Sequence, residues 1–343
     1  MIVGMTLRVV LLGYGTGGSV FHAPLITSVP GLVLVAVVTG RPERQEEVRA
    51  RYPGVAVLPD PGPVFADPAH CDLVVIATPN RTHVPLATEA LKAGLPVVID
   101  KPVAVTAAQA RELASIGPPV FPYHNRRWDG DFLTVRRLLA EGALGEVRRL
   151  ESRFERWRPQ IKESWKESAD PADAGSILYD LGTHLIDQAI CLFGPPTHVY
   201  AELDTRRRGA AVPDDVFLAL THENGVRSHL WASATAAELG PRFRVLGEHA
   251  SYVVHGMDGQ EDALRAGHTP REPGWGQMPP ETYGLLGVPG GSRPVRTVPG
   301  AWQDFYAGVA NALEHGGPPP VPLADAVAGL EVIEAALRSA AGR

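Results

Sequence analysis

The sequence predicts an N-terminal α/β domain with a Rossmann-type doubly wound parallel sheet and a C-terminal α+β domain with an open, mostly antiparallel sheet. Three observations predict this fold class. At 343 residues the chain is longer than one hydrophobic core usually supports. Apolar, β-branched runs alternate with helical segments as far as residue 123. From residue 124 onward, segments that alternate apolar and polar residues dominate, as in antiparallel sheets. We therefore place the domains at residues 1–123 and 124–343.

The first domain is predicted to contain six strands, joined by helices. Each strand is short and apolar, which suits a parallel sheet that is covered on both faces. The predicted strands span residues 7–12, 32–38, 55–58, 73–77, 96–99 and 119–123. Helices are expected over 41–51, after Asn80 as a cap up to Gly94, and from the cap Thr106 through Leu113.

The second domain is predicted to combine helices with alternating strands. Its strands are expected over 147–157, 199–203, 216–221, 226–233, 243–246 and 252–254, and its helices over 132–141, 177–193, 302–314 and 323–340. Asn224-Gly225 between two of the strands is a strong hairpin signal. Residues 256–300 are rich in Gly and Pro without a clear period, so we expect loop there. The closing helices are candidates to pack on the first domain.

Composition and charge exclude several classes of function. The net charge of −6 argues against nucleic acid or an anionic membrane as a main partner. No apolar run reaches the length of a membrane span, and the first residues lack the features of a secretory signal. The two cysteines, Cys71 and Cys191, have neither metal nor redox spacing, so we interpret them as buried free thiols. We expect a cytoplasmic protein without a metal site.

The strongest motif is a glycine turn directly after the first strand. Gly13, Gly15 and Gly18 have the G-x-G-x-x-G spacing that opens a dinucleotide-binding βαβ unit. In such a unit the first glycine permits the turn, the second lets a pyrophosphate approach the backbone, and the third lets the helix pack on the strand. The N–H groups at the helix start then face the phosphates. A purely structural turn is the alternative.

The end of the second strand bears on the choice of nucleotide. The sequence there is Val38-Thr39-Gly40-Arg41, without the carboxylate that would bind the ribose hydroxyls of NAD. Arg41, and Arg44 one turn further on, offer positive charge for a 2′-phosphate. This pattern favours NADP over NAD. Arg41 could equally be a solvated residue at the start of a helix.

Two further places could carry chemistry. Lys101 follows a parallel strand at the edge where ligands bind, and its charge could stabilise a developing alkoxide. Asp180 and His184 lie four residues apart on a predicted helix, so the carboxylate could orient a proton-accepting imidazole. The alternatives are a surface lysine and a buried structural histidine. A metal site on Asp180, His184 and Asp187 lacks a supporting ligand motif.

Together these motifs resemble the glucose-fructose oxidoreductase, inositol dehydrogenase and MocA (Gfo/Idh/MocA) family, over nearly the whole chain. The resemblance is carried by the order and spacing of the matching elements. They are Gly13-x-Gly15-x-x-Gly18, Phe21-His22-Ala23-Pro24-Leu25, Ala77-Thr78-Pro79-Asn80-x-x-His83, Asp100-Lys101-Pro102, His124-Asn125-Arg126-Arg127-Trp128-Asp129 and Asp180-x-x-x-His184.

The resemblance implies hydride transfer between a nicotinamide cofactor and a sugar, polyol or inositol hydroxyl. It implies that His184 accepts the proton during oxidation, that Lys101 orients the reacting oxygen and that Asp180 positions the substrate or the imidazole ring. It also implies a cis Lys101-Pro102 peptide bond, since that bond is often cis in the family. The second domain is expected to bind the substrate and to make contacts in a dimer or tetramer. The cofactor-binding residues expected from the motifs and the resemblance are Gly13, Gly15, Thr16, Gly17, Gly18, Thr39, Arg41, Arg44, Thr78, Pro79, Asn80, His83, Asp100, Lys101, Asn125, Trp165 and Lys166.

The chain departs from the family pattern at three places. The acid before Lys101 is Asp100 instead of the family's glutamate, and Lys166 stands where the family has an arginine. A lysine cannot make the bidentate contact of a guanidinium. Ala174-Gly175-Ser176 replaces a cluster of three glycines.

Two other functions remain open from the sequence. One is reduction of a non-sugar substrate, such as an imine or a bile pigment. The other is a non-enzymatic regulator that binds NAD(P), which the joint presence of Lys101, Asp180 and His184 disfavours.

Overall fold

The computed structural model describes residues 6–342. The strands are β1 Leu7–Leu12, β2 Leu32–Val38, β3 Ala56–Leu58, β4 Leu73–Ile76, β5 Val97–Asp100, β6 Val120–Tyr123, β7 Val147–Glu155, β8 Pro196–Asp204, β9 Asp215–His222, β10 Arg227–Ser233, β11 Phe243–Gly247, β12 Ser251–Val254, β13 Gly284–Val288 and β14 Gly291–Val295. The α-helices are α1 Ala23–Ser28, α2 Pro42–Arg51, α3 Gly62–Ala66, α4 His83–Lys92, α5 Ala107–Ala114, α6 Gly130–Ala140, α7 Thr183–Phe193, α8 Gln260–Arg265, α9 Gln303–His315 and α10 Leu323–Ala341.

The chain forms two compact units. The first runs to Asn125 and also includes Gln260–Trp275 and Ala301–Leu323, so it contains α8 and α9. The second comprises Arg126–Gly259, Gly276–Gly300 and the chain from Ala324 onward. Residues 1–5 of the predicted first domain and residue 343 of the second lie outside the described residues.

The first unit is built on a six-stranded sheet in the order β3-β2-β1-β4-β5-β6. Neighbouring strands are parallel throughout, which confirms the predicted doubly wound sheet. All four residues of β4 are buried, as expected for a strand that is covered on both faces. Because the strands are parallel, their carboxyl ends share one edge, where ligands of such sheets bind.

The helix caps were predicted with mixed success. Thr106 caps α5 in a capping box, since its side chain accepts from the Gln109 N–H and Gln109 reaches back to the Thr106 N–H. The predicted cap at Asn80 is wrong. Asn80 opens a short 3₁₀ turn, and α4 begins three residues later, after Thr82, without a side-chain cap.

The second unit is built on an eight-stranded sheet in the order β14-β13-β12-β11-β7-β10-β9-β8. Only β7 and β10 pair in parallel among its described strands, so the predicted open, mostly antiparallel sheet is confirmed. The prediction of loop over 256–300 is wrong for about a third of that segment. That segment contains α8 and the hairpin of β13 and β14, which extends the sheet at one edge.

Two helices begin with a π-helical segment. Gly17–His22 precedes α1, and Leu178–Gly182 precedes α7. Such segments are rare and occur frequently at functional sites. Among residues 6–342 no helix combines the length and the apolar character that a membrane crossing needs.

Candidate active site

The glycine turn is packed so closely that a side chain would not fit at two of its positions. Gly13 has a φ of +94°, and a Cβ there would lie 2.5 Å from the Ala77 carbonyl oxygen. A Cβ on Gly18 would lie 2.1 Å from the Gly13 carbonyl oxygen. Gly13 also donates its N–H to the Val38 carbonyl at 2.9 Å, which ties the turn to the end of β2. The turn therefore sits where the carboxyl ends of β1, β2 and β4 meet.

Two basic residues follow the end of β2, and one of them reaches the glycine turn. Arg41 is exposed and immediately precedes α2. The Arg44 guanidinium reaches back over the turn, since its Nη1 lies 3.5 Å from the Cβ position of Gly15. Thr39 is buried, and its carbonyl accepts from the Gln45 side chain at 2.8 Å. Positive charge thus covers one end of the turn.

The loop after β4 is fixed by a histidine. His83 is buried, with Nδ1 2.8 Å from the Pro102 carbonyl and Nε2 2.8 Å from the Thr78 carbonyl. Burial lowers the pKa of His83, against the opposing effect of the Asp100 charge. Both ring nitrogens contact backbone carbonyls, so His83 holds together the loops that follow β4 and β5. Asn80 in the same loop is buried.

Asp100 and Lys101 stand at the end of β5. The Asp100 Oδ1 accepts the Lys101 N–H at 2.7 Å, and Oδ2 lies 3.0 Å from the Cβ position of Gly17. Burial acts to raise the pKa of Asp100, but His22, Lys101 and His83 outweigh it and bring that pKa down to about 2. The Lys101–Pro102 peptide bond is cis, as predicted. An ionised carboxylate therefore joins the Lys101 loop to the glycine turn.

In the second unit, Asp180 lies within the π-helical segment and His184 lies in the first turn of α7. His184 is buried, and its ring stacks on Phe154 with centroids 6.3 Å apart. The Arg126 guanidinium lies over the same Phe154 ring at 4.7 Å. The imidazole is therefore held by the packing of β7 as well as by its own helix.

Lys166 forms an ion pair with Asp180 in which its Nζ donates to Oδ1 at 2.7 Å. The 3₁₀ turn Trp165–Glu167 that carries Lys166 is anchored by its last residue. Arg207 pairs with Glu167 at 2.8 Å and with the buried Asp214 at 2.8 Å. Lys166 thus contacts a candidate catalytic carboxylate, a contact that sequence reasoning did not anticipate.

The backbone of the turn before Asp180 is strained at Ala174 and Ser176, where the family pattern has glycines. Ala174 has a φ of 47° and Ser176 a φ of 145°, values that L side chains rarely adopt. A Cβ on Gly175 between them would lie 2.3 Å from the Ser168 carbonyl oxygen. The backbone therefore follows a path suited to three glycines.

Sequence reasoning gave no role to two residues next to Asp100. His22 and Tyr306 are fully buried, and His22 Nδ1 lies 2.5 Å from the Tyr306 hydroxyl. His22 appeared in the motif that carried the family resemblance. Tyr306 had no signal, because the two residues are 284 positions apart.

Three further candidates were Asn125, Trp165 and Asp187. Asn125 is buried two residues after β6, and the Nζ of Lys166 lies 5.5 Å from the centroid of the Trp165 ring. Asp187 makes a two-pronged pair with Arg127 at 2.9 and 2.7 Å. Within the described part of the chain, no group of three or more His, Cys, Asp or Glu side chains is arranged to hold a metal ion.

Comparison with known proteins agrees with this geometry. Residues 7–116 match the oxidoreductase family with an NAD-binding Rossmann fold, and residues 132–253 match the GFO/IDH/MocA C-terminal domain. The uncharacterized oxidoreductase YdgJ of Escherichia coli (strain K12) is 43% identical, covering 98% of this chain and 97% of that protein. The scyllo-inositol 2-dehydrogenase (NADP(+)) IolW of Bacillus subtilis (strain 168) is 34% identical, covering 97% and 94%.

A solved structure is similar over the same extent. The structure of yvaA from Bacillus subtilis has a TM-score of 0.93 and 34% identity, covering 98% of this chain and 97% of that one. The fold and the glycine turn define an NAD(P)-binding oxidoreductase. The chain belongs to the GFO/IDH/MocA family of oxidoreductases, as the sequence motifs predicted.

Proposed function

We propose that the protein is an NADP-preferring dehydrogenase or reductase that acts on a small polyhydroxylated substrate: a sugar, polyol or inositol. The observation that carries the proposal is the position of Asp100-Lys101 beside the glycine turn, with the Asp100 Oδ2 3.0 Å from the Cβ position of Gly17. An ammonium group next to a phosphate-binding turn lies at the edge of the sheet where a nicotinamide is brought to its substrate.

The residues of the turn fit a dinucleotide. Gly13 and Gly18 let the backbone of the turn pack closely on itself and on Ala77, and at Gly15 the nearest atom to a Cβ would be the Arg44 guanidinium at 3.5 Å, so a pyrophosphate can approach the backbone there. Gly13, Gly15, Thr16, Gly17 and Gly18 would hold the pyrophosphate, and Arg41 and Arg44 the 2′-phosphate. When bound, the nicotinamide supplies a site that accepts or delivers the hydride.

Three side chains would perform the remaining chemistry. During oxidation His184 takes the proton of the substrate hydroxyl, since imidazole is suited to proton transfer near neutral pH. The Lys101 ammonium donates a hydrogen bond to the same oxygen and stabilises its negative charge. Asp180, held by Lys166, positions the substrate or the imidazole ring. The convergence of Lys101 and His184 on one substrate stays a prediction.

The substrate class is tested by a turnover panel. IolW bears the name of an NADP(+)-dependent scyllo-inositol dehydrogenase, so scyllo-inositol heads a panel of inositols, polyols, aldoses and ketoses. We expect a change in nicotinamide absorbance with at least one member. Imines and bile pigments are assayed beside this panel, and turnover confined to them would indicate a non-sugar reductase. Tight NADPH binding without turnover of any compound would indicate a regulator.

The preference for NADP is tested at Arg41. We expect Arg41→Ala to weaken NADPH binding by about 1–3 kcal/mol, the value of a hydrogen bond to a charged group, and to leave NADH binding nearly unchanged. Dissociation constants are measured for both nucleotides by fluorescence titration. Arg49→Ala is the matched control, because Arg49 is exposed in the last turn of the same helix. An unchanged ratio of NADPH to NADH affinity in Arg41→Ala would refute the preference.

A further inference from the structure

The two oxygens of the Asp100 carboxylate face two different parts of the structure. Its Oδ1 accepts the backbone N–H of Lys101 at 2.7 Å. Its Oδ2 faces the glycine turn, where a Cβ on Gly17 would lie 3.0 Å away, and it is 3.7 Å from His22 Nε2. One partly buried carboxylate therefore lies between the Lys101 loop and the π-helical segment that follows the turn.

His22 is itself fixed on its other side. Its side chain is completely buried, its ring lies against Tyr123 with centroids 4.2 Å apart, and its Nδ1 is 2.5 Å from the Tyr306 hydroxyl. Burial holds the pKa of Tyr306 well above its ordinary value, so the phenol keeps its proton. If the phenol donates to Nδ1, the neutral imidazole carries its hydrogen on Nε2, the nitrogen that faces Asp100.

The contacts follow one another from Tyr306 on α9, through the His22 imidazole, to the Asp100 carboxylate. Tyr306 orients the His22 ring, His22 presents a donor to Asp100, and Asp100 holds the Lys101 backbone. At 3.7 Å the last step from His22 is an electrostatic contact, which becomes a hydrogen bond if the groups approach by less than 1 Å. No atom of His22 or Tyr306 is exposed to a substrate, since both are fully buried.

We infer that His22 is a positioning residue, which acts through Asp100 to set the position of Lys101 relative to the glycine turn. The inference rests on the proposed catalytic role of Lys101. The charged and titratable groups that act on Asp100 include His22, Lys101 and His83, and the Tyr306 phenol on α9 interacts with it as well. Removal of His22 leaves a partly buried carboxylate with one fewer group that favours its charged form, so Asp100 takes up a proton at a higher pH. A protonated Asp100 holds the Lys101 N–H less strongly.

The test compares His22→Phe, which keeps a ring but has no nitrogen, with His22→Gln, whose amide can place a donor near the Nε2 position. We expect His22→Phe to lower kcat by about 10–100-fold, with little change in the KM of the substrate, because small misplacements of catalytic groups have effects of this size. The acid limb of its kcat profile shifts to higher pH. His22→Gln restores most of the lost kcat.

A second readout needs neither cofactor nor turnover. Reductive methylation with isotope-labelled formaldehyde gives each lysine an NMR signal, and Lys101→Met identifies the signal of Lys101. In the protein without nucleotide we expect this signal to move in His22→Phe and in Asp100→Asn, and to stay in place in His22→Gln. Thermal unfolding shows whether each variant is folded, and Asp100→Asn serves if His22→Phe is not.

The outcomes separate this inference from the proposed function. A folded His22→Phe with an unchanged Lys101 signal, kcat and pH profile overturns the positioning role. A shifted Lys101 signal in His22→Phe, with full turnover in Lys101→Met, supports the positioning of the loop and refutes the catalytic role of Lys101.

Discussion

Lys101→Met is expected to lower kcat by about 10²–10³-fold, the usual effect of removing one donor that stabilises a developing oxyanion. Methionine keeps most of the length and apolar surface of lysine but has no charge. Steady-state rates on the substrate identified by the panel measure the effect. Because the Lys101 backbone is held by Asp100 at 2.7 Å, the substitution leaves the loop in place.

The matched control is Lys92→Met, since Lys92 is an exposed residue in the last turn of α4 in the same unit. We expect wild-type rates for that control. Full turnover in Lys101→Met would show that another group stabilises the reacting oxygen.

His184→Ala is expected to lower the rate of alcohol oxidation by about 10²–10⁴-fold, the range typical of a lost general base. NADPH binding should stay nearly intact, because the glycine turn belongs to the other unit. Stopped-flow rates of nicotinamide reduction and fluorescence titrations of NADPH measure the two quantities separately.

His198→Ala controls for the loss of an imidazole, because His198 is exposed on β8 of the same unit. A His184→Ala protein that oxidises the substrate at the wild-type rate would remove His184 from the mechanism. One that loses NADPH binding as well would indicate a structural role.

The fold could be predicted wherever local signals and burial agree. The strand predicted over 32–38 is β2, residue for residue, because a parallel strand that is buried at most of its positions has a continuous apolar run. The predicted cap at Thr106 is confirmed, because Thr and Gln three residues apart make a capping box without help from other elements.

The failures lie where neighbouring elements decide the structure. The hairpin of β13 and β14 contains glycines and Pro294, which argue against a strand in a sequence. β14 is an edge strand, where proline is tolerated. Gly284 in β13 lies against the Tyr252 side chain, with its Cβ position 2.3 Å from the Tyr252 hydroxyl. That contact cannot be seen from local patterns.

Some residues of the candidate site could likewise be assigned from the sequence, and others could not. The glycine turn and Lys101 follow from spacing and from position at strand ends, so sequence alone assigned them. His22 and Tyr306 are brought together from 284 positions apart by the packing of α9 on the first unit. Lys166 and Asp180 meet because Arg207 anchors the Lys166 turn, which is a tertiary contact.

Because Leu178–Gly182 is π-helical, the position of Asp180 depends on the exact number of residues in this segment. A π turn holds one more residue than the α turn that it replaces. Deleting a single residue there would let an unbroken α-helix form, in which the residues of the segment face other directions than they do in the π turn. Asp180 would then swing away from Lys166 while the apolar face of α7 kept its packing. Insertions and deletions in this short stretch are therefore expected to damage the site more than most substitutions do.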